Sequence, residues 1–401
     1  MNQLAIAARR VLSIDVFRGI TIFTMVFVNE LAGVQNVPGW MKHLAADVDG
    51  MTFVDLVFPA FLFIVGMSVP FATAARLKKG EDLRQIFGHV LIRSLSLIII
   101  GVFMVNTIGG YDESAMVLPI HLWVLLMYAA VLLIWCHYPK HWPRAATLAP
   151  KLVGATLLLV LWYLYRGNSG QGMTTQWWGI LGLIGWAYLM ACIVYLLALK
   201  VSHAYGHLAF LLLAAAALLG LFFAFDSLQA DSGSALAVLI ENNRNNTHAA
   251  IVLAGCALST VFYNDTLAGN KARNATLFVA LSGVLALLCW QVSPISKIWA
   301  TPSWGLFSVF FCSLIFAVTY YWVDVRGHTR WCQFFAPAAA NPLLVYIIPY
   351  ILIAAFGLAG LSYRPQLFDA GAAGIAWSLA FSVVIMWIGA LVSKMGVKLK
   401  L

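Results

Sequence analysis

Long apolar runs separated by short polar gaps dominate this chain, and charged residues are rare inside the runs. Each run approaches the roughly 20 residues that an α-helix needs to cross a hydrocarbon core about 30 Å thick. The pattern predicts twelve such spans: 17–35, 53–74, 87–108, 117–136, 152–166, 179–199, 206–225, 247–263, 275–292, 303–323, 340–361 and 371–393. The run at 152–166 is the shortest. The gaps leave no room for a separate soluble domain, so the expected fold is all-α, a single polytopic transmembrane helical bundle over residues 1–401. Composition agrees. Hydrophobic residues make up 62% and charged residues 10%, against about 45–50% and 25% in soluble domains.

Charge orients the bundle. With the N-terminus in the cytoplasm, the inner loops hold Arg9, Arg10, Arg76, Lys78, Lys79, Arg84, Lys140, Arg144, Lys151, Lys200, Lys271, Arg273, Arg326, Arg330, Lys394, Lys398 and Lys400, which is 17 of the 24 basic residues. The outer loops hold Lys42, Arg166, Arg244, Lys297 and Arg364. This split satisfies the positive-inside rule, and an error of one helix would scramble it. The formal charge of +9 is therefore explained by topology and needs no nucleic-acid partner. On the outer face Asp47, Asp49, Asp112, Glu113, Asp226, Asp231, Glu241 and Asp369 outnumber the basic residues. They form either a vestibule that concentrates a cationic substrate such as an amine or ordinary solvated loops.

The start of the chain lacks a small-residue cleavage site and carries Asp15 and Arg18, so it reads as an uncleaved first helix. The six cysteines fall within helices or at inner ends, which implies no disulfide framework. Cys and His show no metal-type spacing, and no metal is expected.

Candidate chemistry gathers in the first quarter. His43 lies in a polar loop between two spans, with Asn29 before it and Asp47, Asp49 and Asp55 after it. A neutral imidazole accepts a proton from an attacking amine or hydroxyl, and a neighbouring carboxylate or amide fixes its tautomer; the alternative is a solvated loop histidine. Asp15 and Arg18, three apart on a first helical turn, suit a helix-entry ion pair. Arg93 lies inside a span, where a guanidinium needs a polar interior and a carboxylate or phosphate. Lys297 and Asn341 are polar outliers beside apolar spans; they bind substrate or satisfy helix ends.

These residues sit in motifs that run in order along most of the chain. They are Ser13-Ile-Asp-Val-Phe-Arg-Gly-Ile20, Phe27-Val-Asn29, Lys42-His43, Asp55-Leu-Val-Phe-Pro59 through Phe61-Leu-Phe-Ile-Val-Gly66, and Arg93-Ser94. Further on come Ser296-Lys297 with Thr301-Pro-Ser303, Val323-Asp-Val-Arg-Gly327, Asn341 and Tyr346. In this the chain resembles the heparan-α-glucosaminide N-acetyltransferase family and its bacterial relatives. The first motif is also similar to the opening of a wider set of membrane acyltransferases. The resemblance implies transfer of acetyl from cytosolic acetyl-CoA, as co-substrate, to the amine of a glucosamine residue across the membrane. It makes His43 the base or transient acetyl carrier, with Asn29 as its partner. Asp47, Asp49, Asp55, Lys297 and Asn341 become candidates for binding the acceptor, and Arg18 and Arg93 for binding the CoA phosphates.

Three features depart from the family. The loop is longer on both sides of His43, with Ala45-Ala-Asp-Val-Asp49 where Trp-Asn is usual. The run Pro119-Ile-His-Leu-Trp123 stands where Gln-Arg opens the family's fourth helix. The family core is shorter than this chain by a helical hairpin within 152–225. With no long lumenal domain ahead of the first helix, the expected location is a bacterial inner membrane. The expected partners are the bilayer, acetyl-CoA and a small amino sugar or glucosamine-terminated saccharide; homo-oligomerisation is left open. The competing readings are an amino-sugar transporter or permease, which should show inverted repeats and interrupted midplane helices, and a membrane O-acyltransferase.

Overall fold

The structure is a computed structural model that describes residues 11–139, 141–228, 234–264, 266, 267, 269 and 271–401. Arg9, Arg10, Lys140 and Asp231 lie outside the described residues. Fourteen α-helices follow one another among those described: α1 (Leu12–Leu31), α2 (Phe53–Lys78), α3 (Leu83–Ile108), α4 (Ile120–Trp135), α5 (Arg144–Leu164), α6 (Gly179–Ala198), α7 (Ala204–Asp226), α8 (Ala235–Glu241), α9 (Arg244–Tyr263), α10 (Lys271–Trp290), α11 (Pro302–Tyr320), α12 (Ala336–Ala340), α13 (Pro342–Leu358) and α14 (Gly371–Lys394).

Among the described residues ten helices are long and apolar enough to cross a membrane, and the bent pair Arg330–Ala340 and Pro342–Leu358 makes an eleventh if it is counted as one span. The shorter apolar α4 occupies the remaining run. The protein is a polytopic helical membrane protein, and helices suit that setting because every backbone polar group must be satisfied without water. Two differences from the expected spans have local causes. The span expected at 152–166 is α5, which begins at Arg144; Arg144, Pro150 and Lys151 in its first two turns mask it from an apolar-run reading. The span expected at 340–361 bends by 76°, because Pro342 opens α13 and leaves Asn341 as its non-helical N-cap.

The chain packs as two compact units. The first comprises Met1–Thr21 (of which 11–21 are described), Pro38–Ser94 and Leu183–Trp331. At its centre α2 lies against α9, and α7 and α11 also pack on α9. The α2–α9 approach is close: a Cβ on Gly66 would overlap the Val252 carbonyl, and one on Gly255 would overlap the Phe63 carbonyl. Across this seam Ser259 Oγ donates to Met67 O at 2.8 Å and Cys256 Sγ to Gly66 O at 3.2 Å. Small residues and interhelical hydrogen bonds bind helices where lipid removes the hydrophobic driving force. Because α9 is almost wholly enclosed by its own unit, its polar first turns from Asn245 to His248 are buried as well.

The second unit comprises Ile22–Val37, Leu95–Gly182 and Cys332–Leu401. Here α4 packs on α5 and α13, and α14 on α12 and α13. Buried Trp123 stacks on Phe103 and donates its indole N–H to Leu161 O at 3.0 Å. The bend at Asn341 is held by the C-terminal segment: Asn341 Nδ2 donates to Val397 O at 3.1 Å and its Oδ1 accepts from Leu399 N at 3.3 Å. That segment also joins the end of α4, through His137 N to Lys398 O and Lys400 N to Trp135 O.

Candidate functional site

In the first unit, the start of α2 builds one half of the site. Thr52 N donates to Asp55 Oδ2 at 2.9 Å, which caps the helix N-terminus with a carboxylate where the macrodipole favours negative charge. Thr52 Oγ reaches back to Lys42 O at 2.9 Å and so folds the preceding loop over the helix start. His43 is thereby placed with Nδ1 at 2.6 Å from Asp55 Oδ1. The Asp55 side chain is 2% exposed and that of His43 38% exposed. A buried carboxylate thus supports a partly exposed ring.

The loop after α10 builds the other half. Asp49 accepts from Ile295 N at 2.7 Å and from the Trp290 indole at 2.9 Å. Gly50 N donates to Ile295 O, and Ser296 Oγ donates to Ala46 O at 3.2 Å. These bonds tie the two loops together and set Lys297 Nζ beside the His43 ring, 3.2 Å from Nε2 and 3.4 Å from Nδ1. Burial lowers the Lys297 pKa below the ordinary lysine value, and the Asp55 charge partly offsets that. At the start of α11, Trp304 donates its indole N–H to the Asp55 main-chain carbonyl at 3.2 Å.

This geometry has a chemical consequence. A neutral imidazole that donates Nδ1–H to Asp55 carries its lone pair on Nε2. That nitrogen can take a proton, and Asp55 steadies the imidazolium that results. His43, Asp55 and Lys297, named from the sequence, therefore come together in one unit. Asp49 serves as the anchor between loops, and Asp47 is exposed in the same loop. The sequence reading missed Thr52 and Trp304; a threonine three residues before an acidic residue at the start of an apolar run was the available signal.

Also in the first unit, Arg18 donates to Asp15 Oδ1 at 3.1 Å and to Ser68 Oγ at 2.6 Å. Arg93 lies with its guanidinium over the Tyr188 ring, 4.9 Å from the centroid. Its Nε is buried without a hydrogen-bond partner among the described residues, as is the hydroxyl of Ser94.

Asn29 belongs to the second unit. Its Nδ2 donates to Tyr350 OH at 3.4 Å, and Tyr350 donates on to Tyr346 OH at 3.4 Å. Tyr128 stacks on Tyr350, and its own buried hydroxyl has no partner among the described residues. The adjacent Glu30 is buried and receives the Trp377 indole at 3.1 Å, the Tyr363 hydroxyl at 3.4 Å and Arg364 at 3.5 Å. This cluster holds the end of α1. Tyr350 and Tyr128 escaped the sequence reading because they lie within uniformly apolar runs. Asn341, expected near the acceptor, has both amide atoms engaged with the C-terminal segment.

Comparison with known proteins adds two relatives. One segment is 40% identical over 97 residues to the heparan-alpha-glucosaminide N-acetyltransferase of Homo sapiens, covering 24% of this chain and 14% of that protein. The counterpart from Mus musculus is 38% identical over 100 residues, covering 25% of this chain and again 14% of the relative. The chain thus matches about one seventh of the length of each. A family model described as a domain of unknown function, DUF5009, matches residues 10–220. That match takes in more than half of the sequence, and the chain belongs to the DUF5009 family.

Proposed function

We propose that this protein is a transmembrane acetyltransferase. It moves acetyl from cytosolic acetyl-CoA to the amine of a periplasmic glucosamine-type sugar, in a bacterial inner membrane with the N-terminus in the cytoplasm. The observation that carries the reading is the buried Asp55 behind the partly exposed His43 ring, at 2.6 Å from Nδ1. The partial likeness to two N-acetyltransferases supports the same reaction class.

In this reading the acceptor nitrogen attacks the thioester carbonyl. A C–N bond forms, the C–S bond breaks, and the amine proton passes to His43 Nε2. The imidazolium then protonates the departing thiolate, giving CoA with a free thiol. From the family resemblance, Asn29 is proposed to take part in acetyl transfer. Arg93 is the better placed of the two arginines for a CoA phosphate: among the described residues its guanidinium meets Tyr188 and no carboxylate and its Nε lacks a partner, whereas Arg18 already bonds Asp15 and Ser68. Asp47 is proposed to draw the cationic acceptor toward the loop.

Purified protein given acetyl-CoA and glucosamine should release free thiol and N-acetylglucosamine. His43→Ala should lower that rate by about 10²–10⁴, the usual worth of general acid–base assistance, while remaining monodisperse and folded. A variant with near-normal turnover would remove His43 from the mechanism. Reconstituted vesicles that carry unmodified sugar across the bilayer without acetyl-CoA would identify a permease instead.

A further inference from the structure

A slot of about 580 Å³ runs through the first unit between α7 and α10, floored by α9 and bounded at one end by the start of α11. Small residues create it: Ala216 and Gly220 on α7 and Ala250 and Ala254 on α9, opposite Leu285 on α10. Along α10 its lining extends from Phe278 to Cys289, which is about 16 Å at 1.5 Å per residue. One leaflet of bilayer hydrocarbon is roughly 15 Å deep. Leu285 on the lip is exposed, and both flanking helices are membrane spans, so the slot opens sideways to hydrocarbon.

One end differs from the rest. Thr247 lines the slot there, and its hydroxyl is buried with no hydrogen-bond partner among the described residues. Asn245 Oδ1 and His248 Nδ1, in the same helical turn, are also buried and unpartnered among those residues. Buried polar atoms are normally satisfied, and exceptions call for an occupant or a role. The His248 ring sits edge-on to Trp304 at 6.0 Å, and Trp304 bonds the Asp55 carbonyl. Asn245 and His248 stand behind the lining, and on α11 Trp304 lies between the slot-lining Pro302 and Gly305 and bonds the Asp55 carbonyl, which brings this end of the slot next to the first turn of α2.

A slot with hydrocarbon walls, a lateral mouth and a polar end next to the first turn of α2 suits an amphiphile with its head toward the site. A soluble sugar would leave the apolar walls unused. We propose that the slot holds the hydrocarbon chain of a lipid-anchored amine, an amino sugar joined to a long alkyl or prenyl chain, whose head is delivered to His43. This rests on the acetyltransferase reading and names the class of its acceptor.

The test uses full-length protein in nanodiscs of phosphatidylethanolamine and phosphatidylglycerol, with a hexadecyl glucosaminide carrying a diazirine in its chain. Cross-links should map to α7, α9 and α10 and be competed by unlabelled hexadecyl glucosaminide but not by methyl glucosaminide. Gly220→Trp should cut the label about tenfold by filling the groove that otherwise takes up buried chain. A Cβ at Gly220 meets nothing within 4 Å, so the backbone accommodates it, and Gly220→Ala should keep the label. No label on these helices, or equal displacement by an ordinary diacyl phospholipid, would overturn the proposal. A parallel assay follows acetylation, where Gly220→Trp should lower the ratio of hexadecyl to methyl glucosaminide use. Label without acetylation of either sugar would retire the acetyltransferase reading and leave the slot as the binding site. Acetylation of both without label would do the reverse.

Discussion

At the scale of single residues, the site depends on which nitrogen of His43 carries the proton. Asp55 holds Nδ1–H, and Nε2 is left to act. Asp55→Asn removes the charge that steadies the imidazolium and allows the other tautomer, so kcat should fall by about 10²–10⁴ with a smaller change in KM. An unchanged kcat would make Asp55 a helix cap only. Lys297 adds a pH dependence. Its charged form, close to both ring nitrogens, opposes a second positive charge on the ring, so activity should rise with pH as Lys297 loses its proton, in a window below the ordinary lysine value. Lys297→Met should lack that limb in a kcat/KM profile; a superimposable profile would exclude the coupling. The sign for stability follows from the same shift. A cation whose folded pKa is lowered destabilises the fold below that pKa, and the penalty fades as pH rises toward the unfolded value. Lys297→Met should therefore melt higher near neutral pH. His43, Asp55 and Lys297 were all legible as polar residues out of place beside apolar runs. Their bonding was not legible, since Lys297 and His43 are 254 positions apart and the Asp49, Gly50 and Ser296 ties between the loops bring them together.

At the scale of elements, the α2–α9 seam carries most consequence. Gly66 and Gly255 let two backbones meet where a Cβ would strike a carbonyl. Gly255→Ala should destabilise by about 1–3 kcal/mol through overpacking, read as a lower melting temperature in detergent. It should also slow acetyl transfer, because α2 carries Asp55. An unchanged melting temperature would mean that the seam is looser than the structure has it. Hydrophobic runs predicted the spans well because lipid demands apolar length and little else. They could not show the 76° break at Asn341–Pro342, which depends on a proline opening a helix and on distant carbonyl and amide groups. Nor could they show that α9, the least apolar of the ten long spans, is central: its Asn and Thr residues look like a membrane edge until neighbouring helices enclose them.

At the scale of the whole molecule, the distribution of basic residues assigns an orientation that experiment can read. In a background without native cysteines, a cysteine at Asp47 should react with an impermeant maleimide added outside intact cells, and one at Lys394 should react only after lysis. The reverse pattern would invert the topology. The proposed cofactor side follows from this orientation: Arg93→Gln should raise the acetyl-CoA requirement more than the acceptor requirement. The C-terminal clasp bears on a different matter, the order of assembly during synthesis. Asn341, Trp135 and His137 are each bonded to backbone between residues 397 and 400. At about 5–20 residues per second, the end of α4 leaves the ribosome on the order of ten seconds or more before its partners do. Until they arrive, the Asn341 amide and the carbonyl of Trp135 wait without these bonds at a point where unmet polar groups are expensive. The second unit is therefore latched only once residues 397–400 have been made, and a ribosome stalled just short of residue 397 would hold a chain whose spans are in place but whose bend is unsecured.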